Sequence, residues 1–472
     1  MKEHIKSIFL VVLVILNFIL GSKVLSTEKL WSANGYNFFV NVSNNPLSEF
    51  FRKIKSGLYE VSPVETHLEA PELIIINTGY QTSRHALLSS DKEFETLLDL
   101  SRTFLNSALS RTQQFISVPK EDFYTALTAK SIYLRYPVEY DAGLFTHLSG
   151  GSRTDFSGIF SQLQNIVISS DGYVYIEDSS TGIIYSCYTS LDTSALNEII
   201  DSHNVGIETG NPVINYAFDL GFDKSFATQK TVLSPMIPIY SEGFEVETIS
   251  VARQLSITDE TYRETTISNI LPLFNMNPNS LRRYTEVDGT LVFVENNATL
   301  KVSPSGCLEY IAKDDGIMLS NSNFSSSYDS VAACADFVDS INRAAKSDSV
   351  MQLSSNITAS ELLDNSFTIT LDYIANGRPV KLGLENNEPA VSVTLTNNRM
   401  TSYKHNLRSF SVKDEIVPVE NYIFALDNAI SQFQSQITDI EIRELNIIYE
   451  EKLTENILIP RWNVSVKEII ID

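Results

Sequence analysis

The chain has 472 residues, length for roughly three domains of ordinary size. Its 35 Lys and Arg stand against 58 Asp and Glu, a formal charge of −23 at pH 7, which argues against nucleic acid or any other polyanionic partner. Hydrophobic residues at 43% and aromatics at 10% supply real cores and exclude disorder over most of the length.

The first twenty-five residues set the expected compartment. Lys2 and Lys6 face Glu3 in the opening heptapeptide, and Ile8 to Leu20 then runs apolar, broken only by Asn17. From Lys6 to Lys23 a helix would rise about 24 Å, short of a hydrocarbon core of about 30 Å, but lysines at both ends can snorkel across the difference. Val24-Leu25-Ser26 is a poor match to the small-x-small site of a cleaved leader, and no cysteine is present there for lipidation. Residues 1–25 are therefore read as a cytoplasmic stub and a retained transmembrane signal-anchor. The positive-inside rule places the N-terminus in the cytoplasm. No later stretch approaches about 18 apolar residues, so the expectation is a single-pass protein of the cell membrane with its bulk extracytoplasmic. Asn17 either makes an interhelical hydrogen bond, worth roughly 0.6 to 2 kcal/mol, or is merely tolerated.

The exterior reads as α+β, in three units. The first, residues 27–150, is read as α/β. Leu73 to Ile76 has the composition of a buried strand, and Phe94, Leu97, Leu98 and Leu100 fall at helical spacing between Asp91 and Ser110. Ser131 to Tyr136 reads as a strand that Pro137 ends, and Ala142 to Leu148 as a short helix. The second unit, residues 151–346, is β-rich with a closing helix. Asn165 to Ser169 and Tyr173 to Ile176 flank Asp171-Gly172 as a hairpin, a strand passes through Ile183 to Tyr185, and Ser194 to Ser202 forms an amphipathic helix. Residues 204–256 give no readable pattern.

The third unit, residues 347–472, echoes the end of the second. Tyr284, Asp288-Gly289, a strand at Thr290 to Val294 and a returning strand at Thr299 to Ser303 are matched by Tyr373, Asn376-Gly377, Pro379 to Leu384 and Ala390 to Leu395. Each set leads to an apolar helical stripe. The first is Val331, Cys334, Val338, Ile341 and Ala345; the second is Tyr422, Leu426, Ala429, Ile430 and Phe433, with Pro418 suited to its first turn. Two small sheet-plus-helix modules account for this, as does any antiparallel meander with Asx-Gly turns.

Catalytic signatures are missing. The chain has no HExxH, no phosphate-binding glycine loop and no GxSxG elbow. Ser-x-x-Lys occurs at Ser26, Ser89 and Ser117, each without the companion motifs of acylating enzymes, and in a serine-rich chain it is expected by accident. No two of the six histidines stand at i, i+4. His147 lies near Asp141, Ser149 and Ser152, but one short helix and its tail cannot converge as a triad, and a capping or solvated role is expected. Cys187, Cys307 and Cys334 are too widely spaced for a disulfide framework or zinc site and read as small buried hydrophobes. No cofactor, metal or catalytic residue is expected.

The short anchor, Tyr136-Pro137-Val138-Glu139-Tyr140 leading to Leu144-Phe145, and Leu273-Phe274-Asn275-Met276-Asn277-Pro278 with Arg282-Arg283-Tyr284 carry, in this order along the chain, a resemblance to the YycH family, extracytoplasmic regulators of the WalK (YycG) sensor histidine kinase of Gram-positive bacteria. It continues through Leu300-Lys301-Val302-Ser303-Pro304-Ser305-Gly306 and Thr370-Leu371-Asp372-Tyr373 with Asn376-Gly377. It implies an elongated, multidomain, non-enzymatic exterior tethered by one helix, whose last two domains resemble each other and the partner YycI. It further implies regulation of the kinase within the membrane, together with a YycI-like one-pass protein, in cell-wall homeostasis. Leu13, Asn17, Phe18 and Leu20 would then be candidates for contact with partner helices.

Two other classes of function are weighed beside this one. A module receiving extended exported peptides would show an uncovered sheet edge beside an apolar groove. An anchored wall enzyme would show converging carboxylates in a cleft.

Overall fold

Leu73–Thr78 (β1) reads LIIINT and is buried at every position, so both faces of its sheet must be covered. In the computed structural model, Ile74 and Ile76 join one core cluster with Phe94, Leu97 and Leu98 of the helix Phe94–Ser110 (α1). Leu73 and Ile75 join another with Phe123 and Leu127 of the helix Lys120–Thr128 (α2). Period-two alternation thus sends successive side chains of one strand to two cores. The structure describes residues 66–469, except 80–83, 111–113, 152–155, 157–158, 204–213, 225–230, 241–244, 254, 256–259, 296–297, 314–315, 320–325, 365, 384–387, 433–438 and 453. Residues 1–25, with the expected anchor, lie outside them. Among the described residues no helix is long and apolar enough to cross a membrane.

The sheet around β1 has seven strands. The others are Arg84–Leu87 (β2), Ile116–Val118 (β3), Lys130–Asp141 (β4), Gln162–Ser169 (β5), Tyr173–Asp178 (β6) and Ile183–Tyr188 (β7), in the order β2-β1-β4-β5-β6-β7-β3. The β5–β6 hairpin turns at Gly172, which takes φ 90, a conformation that favours glycine. Pro137 does not end β4, as the sequence suggested. The strand continues to Asp141, and its pairing to β5 shifts register between Arg135 and Tyr140, where a proline without an N–H breaks no ladder bond. Asp141 then caps the helix Ala142–Leu148 (α3), its carboxylate accepting from the Leu144 N–H at 2.9 Å. Residue 150, the first expected boundary, falls between the paired strands β4 and β5. The helix Ser194–Ser202 (α4) occupies its expected span.

The stretch without a readable pattern contributes Ile214–Tyr216 (β8), Thr231–Leu233 (β9), Pro238–Tyr240 (β10) and Glu245–Ala252 (β11). β8 and β10 pair as a small separate sheet, while β11 enters a 14-stranded one. After the helix Glu260–Ile270 (α5) comes a meander of Arg282–Thr285 (β12), Leu291–Glu295 (β13), Ala298–Val302 (β14) and Cys307–Ala312 (β15). The helix Ser327–Ala344 (α6) opens with a reciprocal capping box between Ser326 and Asp329, and Val331, Cys334, Val338, Ile341 and Ala345 are all buried beneath it.

The chain continues through Val350–Leu353 (β16), the helix Ala359–Leu363 (α7), Ser366–Ala375 (β17), Arg378–Lys381 (β18), Val391–Thr396 (β19) and Arg399–Asn406 (β20). The two echoing halves share one sheet, because β15 pairs with β20 from Cys307↔Asn406 onward. Ser409–Pro418 (β21) forms one end of that sheet against β11. Pro418 therefore closes a strand, and the helix Tyr422–Ser431 (α8) starts after it, capped by Asn421. Only Leu426 of its expected stripe is buried. Tyr422 and Ile430 pack partly against the long hairpin of Asp439–Lys452 (β22) and Ile457–Ile469 (β23), and Phe433 lies outside the described residues. The two halves thus share a meander but not the packing of their helices. The architecture is mixed α+β and rich in sheet.

Candidate functional site

Arg135 stands in the apolar run Ile132 to Tyr136 and is 5% exposed. A charge so placed must be met by polar neighbours, and the face of the seven-stranded sheet supplies them. Its Nε lies 3.0 Å from Glu72 Oε1. Beside it the Tyr133 hydroxyl donates to Asn165 Oδ1 at 2.7 Å, and Asn165 Nδ2 donates to Glu177 Oε2 at 2.9 Å. Burial raises the Glu177 carboxyl above the usual range, opposed by the Asn165 hydrogen bond. Burial also pushes Glu72 up to about 7, against the pull of Arg135.

Tyr133, Arg135, Asn165 and Glu177, without Glu72, form one wall of a cavity of about 100 Å³. The opposite wall is the turn Ser234 to Ile237 and β22, whose Arg443 lies 3.3 Å from Glu441 and 3.8 Å from Glu139. A smaller cavity of about 40 Å³ also touches Arg135, with Glu72, Tyr240 and Arg378 on its lining. The arrangement can hold a small polar molecule between cationic and anionic side chains. It offers no nucleophile paired with a base. Among the described residues no group of three His, Cys, Asp or Glu is placed to hold a metal ion.

The remaining sequence candidates are placed as follows. Leu13, Asn17, Phe18 and Leu20 lie outside the described residues. His147 Nε2 stands 3.1 Å from Asp329 Oδ1, which ties α3 to the cap of α6 rather than to Ser149. Ser89 and Lys92 are exposed. Cys187 and Cys334 are buried, and Cys307 is partly buried. The cavity itself escaped sequence reasoning. Its one local signal is an arginine in the middle of an apolar strand; Glu441 and Arg443 join it from some three hundred residues away, across a packing no periodicity records.

The comparisons with known proteins bear on the fold. No family model and no curated relative matches the chain. The crystal structure of YycH from Bacillus subtilis is similar to it with a TM-score of 0.51 and 10% identity, covering 87% of this chain and 99% of that one. An uncharacterized protein from Eubacterium rectale aligns at a TM-score of 0.31 and 9% identity over 52% of this chain and 85% of its own, too distant to carry an argument. The chain has a YycH-like fold.

Proposed function

We propose that this chain is a membrane-anchored, non-enzymatic regulator of a two-component sensor histidine kinase of the WalK/YycG type, acting with a YycI-like one-pass partner on cell-wall homeostasis. The observation that carries the proposal is the likeness to YycH over 87% of the chain, in company with the ordered sequence features and the apolar segment Ile8 to Leu20. A fold alone does not dictate a function, so the anchor is where the reading is tested. Full-length chain is purified from membranes of the native host beside a version whose residues 8–25 are replaced by an unrelated anchor of equal length. Recovery of a sensor kinase and a second one-pass protein with the native helix only supports the proposal, and Asn17→Leu is then expected to weaken that recovery. Recovery of no kinase with either version removes it.

A second reading, capture of an extended peptide, is favoured by one observation. β21 ends the large sheet among the described residues, and its Val412 and Ile416 are 54% and 55% exposed. Co-purification of exported polypeptides that persists with the foreign anchor, and is lost when Val412 and Ile416 are both changed to Lys, would favour this reading over the first.

A further inference from the structure

The register of β6, β7 and β3 brings three tyrosines and an isoleucine to one face of the seven-stranded sheet. Tyr173 stands opposite Tyr188, and Ser186 stands opposite both Tyr175 and Ile116. Residues two apart on a strand share a face, so these rows lie side by side. Tyr188 is 50% exposed, Ile116 62% and Tyr173 37%, while Tyr175 is partly buried. The Tyr173 ring lies 5.1 Å from that of Tyr188 and 6.2 Å from that of Tyr175. Phe123 of α2 meets Tyr175 edge-on at 6.4 Å, which ties the group to the core. Rings packed against one another in this way give up little side-chain freedom when a partner binds. Singly exposed apolar side chains are ordinary, but a cluster of aromatic ones marks a contact surface.

The charges beside the rings select the partner. Asp171, in the turn before Tyr173, and Asp122, in the first turn of α2, are both exposed. Burial, and then these two carboxylates, hold the Tyr175 hydroxyl above its usual range. Lys120 acts on Glu177, one row further along the sheet. A second copy of the chain would bring the same carboxylates against their like, and an anionic partner would meet a formal charge of −23. A guanidinium or ammonium finds both a ring face and a carboxylate here.

We propose that the face of Tyr173, Tyr175 and Tyr188 docks a basic segment of a partner protein, whose arginine or lysine side chains stack on the rings and pair with Asp122 and Asp171. Arginine suits the face better, because its planar guanidinium both stacks on aromatic rings and pairs with carboxylates. Ile116 adds an apolar contact in the row beyond Ser186. The proposal rests on neither reading above, since it uses neither the anchor nor β21.

The test is fluorescence anisotropy of a labelled decapeptide of alternating Arg and Ser, titrated with full-length protein in micelles of an uncharged detergent. Salt is held at about 0.15 M, where attraction between distant exposed charges is largely screened. The same peptide with Gln in place of Arg is the neutral control. Saturable binding of the Arg peptide alone is expected. Tyr173→Ser with Tyr188→Ser removes two rings and no charge, and is expected to weaken binding at least about tenfold. Tyr173→Phe with Tyr188→Phe restores the rings and is expected to recover most of that loss. Asp122→Asn with Asp171→Asn is expected to weaken binding more than Glu420→Gln with Asp427→Asn, which removes two exposed charges elsewhere. Circular dichroism checks the folding of each variant, and the Asp122 and Asp171 pair decides the matter if the serine pair does not fold. Absence of saturable binding overturns the proposal, as does equal binding of the Gln peptide. An unchanged affinity in the serine pair, or equal losses from the two charge-removing pairs, overturns it too.

Discussion

The Tyr373 hydroxyl stands 2.8 Å from His405 Nε2 inside the large sheet, and the other ring nitrogen, Nδ1, stands 2.7 Å from the Tyr403 hydroxyl. All three side chains are fully buried. A neutral imidazole has one N–H, so it can donate to one tyrosine and accept from the other. The surroundings select which. The Tyr373 hydroxyl donates to the Asn406 carbonyl at 3.2 Å and accepts from the Arg408 N–H at 3.1 Å, leaving it free to accept from Nε2–H, while Tyr403 donates to Nδ1. Every polar atom of the trio is then satisfied by a neutral histidine, and a second ring proton, on Nδ1, would displace the Tyr403 O–H from its acceptor.

Burial, reinforced by the Arg408 charge, lowers His405 from 6.5 to about 3. Between those values the unfolded chain binds a proton that the folded chain refuses, so stability falls as pH drops through the window. One such group contributes a loss of about 2 kcal/mol between pH of about 7 and about 5. Urea unfolding of wild type and His405→Gln at both pH values measures it. The variant is expected to be less stable at the higher pH but to lose distinctly less on acidification. Equal losses would show that His405 titrates normally or is not the group responsible.

Arg84 and Asp219 form an ion pair with side chains only 1% and 5% exposed, and the Arg84 guanidinium lies 4.5 Å over the Tyr216 ring. The pair fastens β2 to the turn that follows β8, across 135 positions of sequence. Removing one member strands the other in a low dielectric, so Arg84→Met is expected to cost about 3 to 5 kcal/mol. Asp219→Asn keeps the acceptor for the Tyr216 N–H, 2.9 Å away, and in combination with Arg84→Met is expected to show a coupling of about 1 to 3 kcal/mol. Additive losses in that double-mutant cycle would mean that the pair is electrostatically idle.

Asn376 and Gly377, with φ 45 and 71, make the two-residue turn between β17 and β18, where Ala375 pairs with Arg378. A Cβ at Gly377 would lie 2.5 Å from Leu88 Cβ and 2.9 Å from Ser90 Oγ, on the far side of the junction between the two large sheets. Gly150 has φ +81 with nothing within 4 Å of its would-be Cβ. Gly150→Ala therefore measures the left-handed conformation alone, about 1 to 2 kcal/mol, and Gly377→Ala is expected to exceed it by at least about 1 kcal/mol because backbone must shift as well. Similar midpoints for the two variants in urea would place no tight contact at that turn.

Local signals were legible where one short window held all the information. The β5–β6 hairpin announces itself by Asp171-Gly172 between apolar runs, and α4 ends where its stripe ends. In the sequence Pro137 reads as the end of β4, and only the register shift opposite it explains why pairing resumes at Tyr140. The segment holding β8 to β11 was unreadable because its strands are short or pair with partners far along the chain. β9 lies parallel to β22 and β11 antiparallel to β21. The cavity was hidden for the same reason. Arg135 is visible as an anomaly in its strand, but Arg443 and Glu441 become its neighbours only through sheet packing.

The two echoing helices show where pattern and packing part. Ile341 of the α6 stripe is 0% exposed, whereas Ile430 of the α8 stripe is only partly buried and Ile423, off that stripe, is 44% exposed. α6 lies over the meander with its whole stripe buried, whereas α8 meets the β22–β23 hairpin mainly through Leu426. Ile341→Ala leaves a cavity that neighbours already in close contact cannot fill, and is expected to cost about 2 to 5 kcal/mol. Ile423→Ala removes surface that water already touches, and is expected to change stability by less than about 0.5 kcal/mol. Urea midpoints of the two single variants decide it. A large loss at Ile423 would show that α8 is covered in the intact protein by a part of the chain or a partner, and that its exposed face is an interface rather than a solvated surface.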